Sequence, residues 1–537
     1  MAFRGVVKTL ALCAAGLWMA SPALAQTAPA PVSTAEPDPG MWAFDGELNG
    51  QPGRSLQIDT QLGRTMIVSY LGYRANGSAL FLQASGVRGA NDTAFTAPLQ
   101  EFRNGRTIGG GPGNGELAGT LGDIRLAFDT PTTGTVTLPG DVTRRISRYS
   151  YGDYYWRDGM EGTVISAPPP YDGSVTPTAY RIQLKGGNLQ MNQLTTSQGR
   201  LCSYAGAYAV RGALLESEGT ATCTEANGTQ QRSPYRMERF AVDSLGMFSG
   251  TVLQGDRKIH FMGPCLAGAV FTGSPDTCAP FGNRLAVTVQ PGMWAIDDEM
   301  DGRPGRSLQI DTHNGRTPII VSYLGYRPDG SSVFMQGSTS ERTSGTTERF
   351  AMPLREFRNG PVIGGVPGQG GELASDVGEI QLEFDSPTTG TVKLPFETPR
   401  RISRFRYEDH AVRFDKTYSA SIYPAWRTSG TTASLDIVAR NNVFRMDTRS
   451  SDWKYCEYRG TYRLAGDGLT SDGTRTCNPH NENGTGTTVE PYSIEQFSVD
   501  RNGVLRGSMR VGGDRFLYMG SCGAGYYCSG PGLDLPR

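Results

Sequence analysis

The sequence predicts an all-β protein made by tandem duplication of a two-module unit, an antiparallel meander β-barrel-like module followed by a disulfide-containing antiparallel β module. Three observations predict it: an internal repeat across most of the chain, hydrophobic alternation with a period of two, and, apart from Cys13, cysteines confined to the second module of each unit. A chain of 537 residues is too long for one hydrophobic core. Its 71 glycines and 23 tyrosines, with scattered Asn-Gly and Asp-Gly pairs, suit many short strands joined by tight turns.

The repeat comes first. GMWAFDGELNGQPGRSLQIDTQLGRT begins at Gly40 and GMWAIDDEMDGRPGRSLQIDTHNGRT at Gly292. Each leads into VSYLGYR, ending at Arg74 and Arg327. EFRNG recurs at Glu101 and Glu356, PTTGTV at Pro131 and Pro387, and RRISR at Arg144 and Arg400. A second, weaker pairing follows each block: Cys202, Tyr204, Gly206 and Tyr208 match Cys456, Tyr458, Gly460 and Tyr462. The order is therefore A, B, A′, B′. Composition shifts place the boundaries at 1–25 (signal peptide), 26–39 (Pro/Ala-rich disordered linker), 40–165 (A), 166–285 (B), 286–430 (A′) and 431–537 (B′).

The first 25 residues read as a secretory signal. Arg4 and Lys8 form the positive end, Thr9 to Ala20 a short apolar stretch, and Ala23-Leu24-Ala25 the small-x-small cleavage site. The stretch is too short for a permanent anchor, and no later segment is long and apolar enough for a transmembrane helix. Cys13 does not mark a lipoprotein, because Leu12 precedes it where a small residue is wanted. The expected location is periplasmic or extracellular, by a bacterial Sec-type route.

Module A alternates apolar and polar residues. Leu56 and Ile58 share one face of their strand, Gln57 and Asp59 the other. Turn residues recur at short intervals, and about eight strands result: 40–45, 55–60, 65–74, 79–86, 94–103, 116–128, 134–139 and 143–151. A meander of that size can close on itself and so remove exposed edges. No helix candidate is visible. Module B reads similarly, with fewer and more irregular strands such as Ala179–Leu184, Gly206–Val210 and Phe240–Val252.

Each B module carries four cysteines. Local pairing repeats identically in both units, giving Cys202–Cys223 with Cys265–Cys278, and Cys456–Cys477 with Cys522–Cys528, although four cysteines admit three pairings. A zinc site lacks its usual Cys-x-x-Cys spacing, so no metal is expected. Disulfides agree with export.

The Gly-Met-Trp opening and the arginine-rich closing strand resemble the calycin superfamily of lipocalins and avidins. That resemblance implies that Trp42 meets Arg145 or Arg148, and Trp294 meets Arg401 or Arg404, as cation–π lids on a barrel end. The run from Trp42 through PGRSLQI and SYLGY to Asn76-Gly77-Ser78 is similar to an uncharacterised secreted β module of Proteobacteria, which implies no chemistry. Both resemblances cover the A modules alone.

Charge is balanced, 51 Lys+Arg against 52 Asp+Glu, so nothing advertises a nucleic-acid partner. No Gly-x-Ser-x-Gly elbow, His-Glu-x-x-His or phosphate loop in a strand–helix context occurs, and no cofactor is implied. The run Gly109-Gly110-Gly111-Pro112-Gly113-Asn114-Gly115 lies between strands and reads as a flexible hairpin. His313 stands where the other copy has Gln61, and His260 where the other copy has no histidine, so no histidine base serves both.

The residues both copies keep are the binding candidates: Tyr70, Tyr73, Arg74, Glu101 and Arg103, with Tyr323, Tyr326, Arg327, Glu356 and Arg358. Asp59 with Asp311 and Asp129 with Asp385 pair off too. Stacking rings and forked guanidinium groups form a floor for a sugar or carboxylate. The same residues equally well fill barrel ends and satisfy turns, since a duplication retains folding residues as readily as binding ones. The leading expectation is an exported, non-catalytic binding or structural protein, multivalent for a glycan or cell-envelope component. The alternative is a polysaccharide hydrolase or lyase using carboxylate or tyrosine chemistry, for instance Glu101 with Glu116. An outer-membrane barrel is disfavoured by the disulfides and polar strands.

Overall fold

The computed structural model describes residues 36–522, except 62, 89–92, 152–155, 157, 160, 167–177, 195–198, 243–246, 256, 265–286, 314–315, 342, 345–346, 367, 425–429, 451–453, 479–485 and 501–502. The signal segment, and with it Cys265, Cys278 and Cys528, lie outside the described residues.

Period-two alternation forces every module into antiparallel sheet. Module A is a closed barrel of Gly40–Phe44, Ser55–Asp59, Thr65–Tyr73, Ala79–Val87, Ala94–Arg103, Glu116–Thr130, Thr133–Thr137 and Arg144–Arg148, each pairing with the next. The last strand returns to the first through Trp42↔Arg148, Ala43↔Ser147 and Phe44↔Ile146. These are the eight expected strands, shifted by a few residues at their ends. Module A′ repeats them from Gly292–Ile296 to Arg400–Arg404, adds the two-residue strand Thr343–Ser344, and closes through Gln336↔Arg355. Among the described residues helix is limited to single turns at Asp45–Glu47, Asp297–Glu299 and Ala411–Phe414.

The B modules are more regular than the sequence predicts. B is an eight-stranded meander from Glu161–Ser166 to Arg257–Pro264, and B′ a closed eight-stranded barrel from Thr417–Pro424 to Asp514–Ser521. The expected strand Phe240–Val252 is in fact the end of Gln230–Val242 and the start of Met247–Gln254. β-Bulges explain the misreading. The register slips between Leu215 and Ser217 and again between Glu238 and Ala241, where Arg239 takes a φ of 56°. Both slips come from one extra residue in Gln230–Val242, which throws that strand out of phase with the alternation. Two boundaries move as well. Glu161–Ser166 pairs with Thr178–Lys185 inside B, and Thr417–Pro424 closes B′ against Asp514–Ser521.

Alternate side chains fill the barrels. In A, Trp42, Leu56, Ile58, Val68, Tyr70 and Leu82 converge with Leu99, Ile124 and Ile146 into one buried cluster. B and B′ each hold their own cluster, around Phe240 and Phe497 respectively. The A strand Thr65–Tyr73 differs, because nearly all of it is buried on both faces. Val68 and Tyr70 point into the lumen of A, while Leu71 and Tyr73 join the core of A′.

Candidate functional site

What covers that second face is the other A module. A and A′ pack about a pseudo-two-fold axis, so that most contacts occur twice with the copies exchanged. Gln57 Nε2 lies 3.4 Å from Ser322 Oγ, and Gln309 Nε2 3.4 Å from Ser69 Oγ. Asn104 N donates to Gly330 O, and Asn359 N to Gly77 O, both at 2.8 Å. Tyr73 meets Phe334 edge-on at 5.9 Å, and Tyr326 meets Phe81 at 6.0 Å. This is the geometry of an isologous dimer, here within one chain.

Two buried ion pairs sit at its centre. Arg148 donates to both carboxylate oxygens of Asp311, at 2.8 and 2.6 Å, and Arg404 donates to Asp59 at 2.6 Å. The same carboxylates accept the backbone N–H of Met41 and Met293, at 2.9 and 3.0 Å. Burial opposes the Arg148 charge, but Asp311 and Asp38 outweigh it and hold the group charged. The glycine of each Gly-Met-Trp opening makes room for this. A Cβ on Gly40 would lie 2.4 Å from Arg148 Nη2 and 2.6 Å from Asp311 Oδ1, and its φ of 122° suits glycine alone.

The ten candidate residues do not meet in one pocket. Tyr70 and Tyr323 are buried in separate lumens, where burial raises both phenols far above their ordinary value. Tyr73, Tyr326, Arg74, Arg327, Glu101 and Glu356 line the seam. Arg74 pairs with Glu101 at 2.6 Å and donates to Ser332 O of the other module; Arg327 pairs with Glu356 at 2.5 Å and donates to Ala79 O. Arg103 and Arg358 lie on exposed hairpins, paired with Glu116 and Glu372 at 2.8 and 2.9 Å. Glu101 and Glu116 thus face different arginines. Sequence reasoning passed over Asp59, Asp311, Arg148 and Arg404 as site members. Their signal was the invariant SLQID and RRISR blocks.

The lid implied by the calycin resemblance needs correcting. Arg148 is opposite Trp42 in register, but its guanidinium turns to Asp311, and Trp42 packs edge-on against Phe128 at 5.4 Å. The cation over a ring at the barrel end is Arg54, 4.6 Å from the Phe44 centroid. Arg54 is clamped by Glu47 and Asp141 and donates to Val362 O across the seam at 3.2 Å. In A′, Arg306 is held likewise by Glu299, Glu397 and Thr107 O. The carboxylates pull the guanidinium off the closing strand, because two buried charges satisfy each other better than an indole face does.

Cysteine pairing follows the local expectation where it is described. Cys202–Cys223 and Cys456–Cys477 are bonded, each joining residues directly opposite on adjacent strands. Cys522 is also disulfide-bonded. Among the described residues no group of three His, Cys, Asp or Glu is placed to hold a metal.

His410 joins A to B′. It is buried, with Nε2 2.9 Å from Gln61 Oε1. Burial first, then Arg413, Arg406 and Arg404, push its pKa down to about 3, and the Glu408 carboxylate 4.0 Å away does not offset them. The unfolded chain, with a pKa near 6.5, therefore binds the proton first as pH falls. Stability from this residue is complete above about pH 6.5 and lost progressively toward pH 3, about 2 kcal/mol at pH 5. Urea midpoints measured from pH 7 to 4 should fall steeply in the native chain. His410→Gln should flatten that fall by about one proton; an unchanged slope would show that the ring is already protonated in the folded state.

No family model matches the chain, and no curated protein is similar to it. Among solved structures it is similar to the crystal structure of isotype 1 transferrin binding protein B from serogroup B Neisseria meningitidis, at 9% identity, over 80% of this chain and 84% of that one, with a TM-score of 0.17. A likeness so low carries no argument about function.

Proposed function

We propose that the chain is an exported, non-catalytic binding protein that meets its ligand on the outside of its barrels, the ligand being a glycan or another cell-envelope component. The observation that carries this reading is that the barrel interiors are filled by their own side chains, Trp42, Leu56 and Leu82 in A and Phe444, Phe497 and Tyr518 in B′. A close-packed lumen leaves no room for a ligand, so recognition falls to the surface. The disulfides suit an oxidising compartment. Locking A to A′ makes a rigid centre from which B and B′ are held. B is tied by Thr130 to Glu216 at 3.0 Å, and B′ by the Gly466 amide to Arg404 O at 3.2 Å. A rigid carrier with repeated surfaces gains avidity on a repetitive target.

Purified mature protein should be retained by isolated cell-envelope fragments, and should release no reducing ends or unsaturated products from a polysaccharide panel. Turnover abolished by Glu101→Gln with Glu356→Gln would replace this reading with the hydrolase or lyase one. Absence of both retention and turnover would sink it outright.

A further inference from the structure

The two halves of the A–A′ body differ at one conspicuous place. The loop before the closing strand reads Leu138-Pro139-Gly140-Asp141 in A and Leu394-Pro395-Phe396-Glu397 in A′. Both third residues are left-handed, Gly140 at φ 70° and Phe396 at φ 64°. Glycine takes that conformation freely, whereas a bulky aromatic is rarely found there. Phe396 is nevertheless 86% exposed, the most exposed large apolar residue described, so the ring is not held there by core packing. Strain of this kind without a packing return points to use of the side chain.

Phe396 stands on the wall of an open groove of about 840 Å³, within the range of small-ligand sites. Beside it on the lining lies the glycine run of module A, whose Gly109 comes so close that a Cβ there would touch Phe396 Cβ at 3.6 Å. Gly109 N donates to Glu397 Oε1 at 2.8 Å, which fixes the hairpin against A′. The polar lining is neutral in sum, with Arg106, Arg400 and Arg401 against Asp297, Asp298 and Glu397. Its guanidinium groups are already engaged: Arg400 with Asp298 and Glu299, Arg401 with Asp385, Arg106 with Glu299. An anion would have to break those pairs. A neutral polyol need not, since its hydroxyls can donate to the second lone pairs of the Asp298 oxygens, which Arg400 engages once each and which are largely exposed.

We infer that the groove lined by Phe396 and the Gly109–Gly110 hairpin is a binding site for a neutral saccharide, whose C–H face stacks on the exposed Phe396 ring. The ring's negative face attracts the polarised C–H groups of a pyranose, and the Asp298 carboxylate and Thr398 hydroxyl on the same lining can take its hydroxyls. The pseudo-symmetric position in A carries Gly140 and lacks the ring, so A does not repeat this site, and the avidity of repeated surfaces does not extend to it. This inference rests on the surface-binding reading above and names its ligand class and place.

The test titrates mature full-length protein with cellotetraose, chitotetraose and maltotetraose. Phe396→Gly restores the residue that A uses at the same φ, and Phe396→Asn keeps a residue tolerant of that φ, so both should fold with an unchanged or higher melting temperature. At least one oligosaccharide should bind; both variants should weaken it about tenfold or more, and Phe396→Tyr, which keeps the ring, should retain it. Saccharide binding unaltered in Phe396→Gly would overturn the site while leaving the surface-binding reading standing. Failure of all three probes to bind at millimolar concentration would overturn the ligand class; the broader reading falls only if envelope retention is absent too.

Discussion

Replacing Asp311 by alanine should destabilise the A–A′ body by about 3–5 kcal/mol, the cost of leaving a buried charge without its partner. The carboxylate is fully buried and accepts from both Arg148 Nη atoms and from Met41 N. Without it, Arg148 keeps Asp38 at 3.0 Å and the Met41 carbonyl at 2.9 Å, but loses its bidentate partner. The Met41 amide is left without an acceptor in the same place. Asp59→Ala should behave alike through Arg404, Met293 and Tyr407. Denaturant unfolding of the full mature chain reads both effects. Replacing Asp311 and Arg148 together with leucine and methionine should recover much of the loss, because a packed apolar pair can substitute for a buried ion pair. A change in Asp311→Ala below about 0.5 kcal/mol, the range of ordinary surface substitutions, would mean that the two modules do not pack this way in solution.

That seam also explains what the sequence could and could not tell. Alternation of Leu56 and Ile58 against Gln57 and Asp59 was enough to place a strand, and the duplication was enough to place it twice. Strand ends in A followed from turn residues. In B the bulge around Arg239 broke the phase of its strand, so the end of that strand and the start of the next read as one. The partner of the exposed-looking face was a different matter. Met66, Val68 and Tyr70 alternate with Ile67, Leu71 and Tyr73, so both faces of the strand are apolar, which marks a strand covered on both sides. Nothing local says that the cover is the other copy. Gathering residues by their presence in both copies therefore selected for the seam: Arg74, Glu101 and Tyr73 persist beside Arg327, Glu356 and Tyr326 because each helps hold the other half. Phe396 escaped for the opposite reason. It stands where the copies disagree, and only its φ and exposure mark it.

The second large effect lies in the B modules. Changing Cys456 and Cys477 together to alanine should cost about 3 kcal/mol, the loop-closure value for a cross-link of this span. The two residues face each other within the hairpin Tyr455–Ala465 and Gly468–Asn478, whose strands pair along their whole length. The folded hairpin therefore holds its shape without the bond, and the loss falls chiefly on the unfolded chain, which gains freedom. Confinement of the effect is the sharper part of the expectation. Cys456 and Cys477 belong to the B′ core with Tyr458, Tyr492 and Ile494, a cluster separate from those of A and A′. Calorimetry of the full chain should show one transition lowered by several degrees and the A–A′ transition in place. Cys202→Ala with Cys223→Ala should lower a different one, that of the cluster around Tyr204 and Tyr235. If either variant drags the A–A′ transition down by the same amount, the contacts through Arg404, Gly466 and His410 couple the modules into one cooperative unit, and the chain unfolds as a single body rather than as barrels on a shared centre.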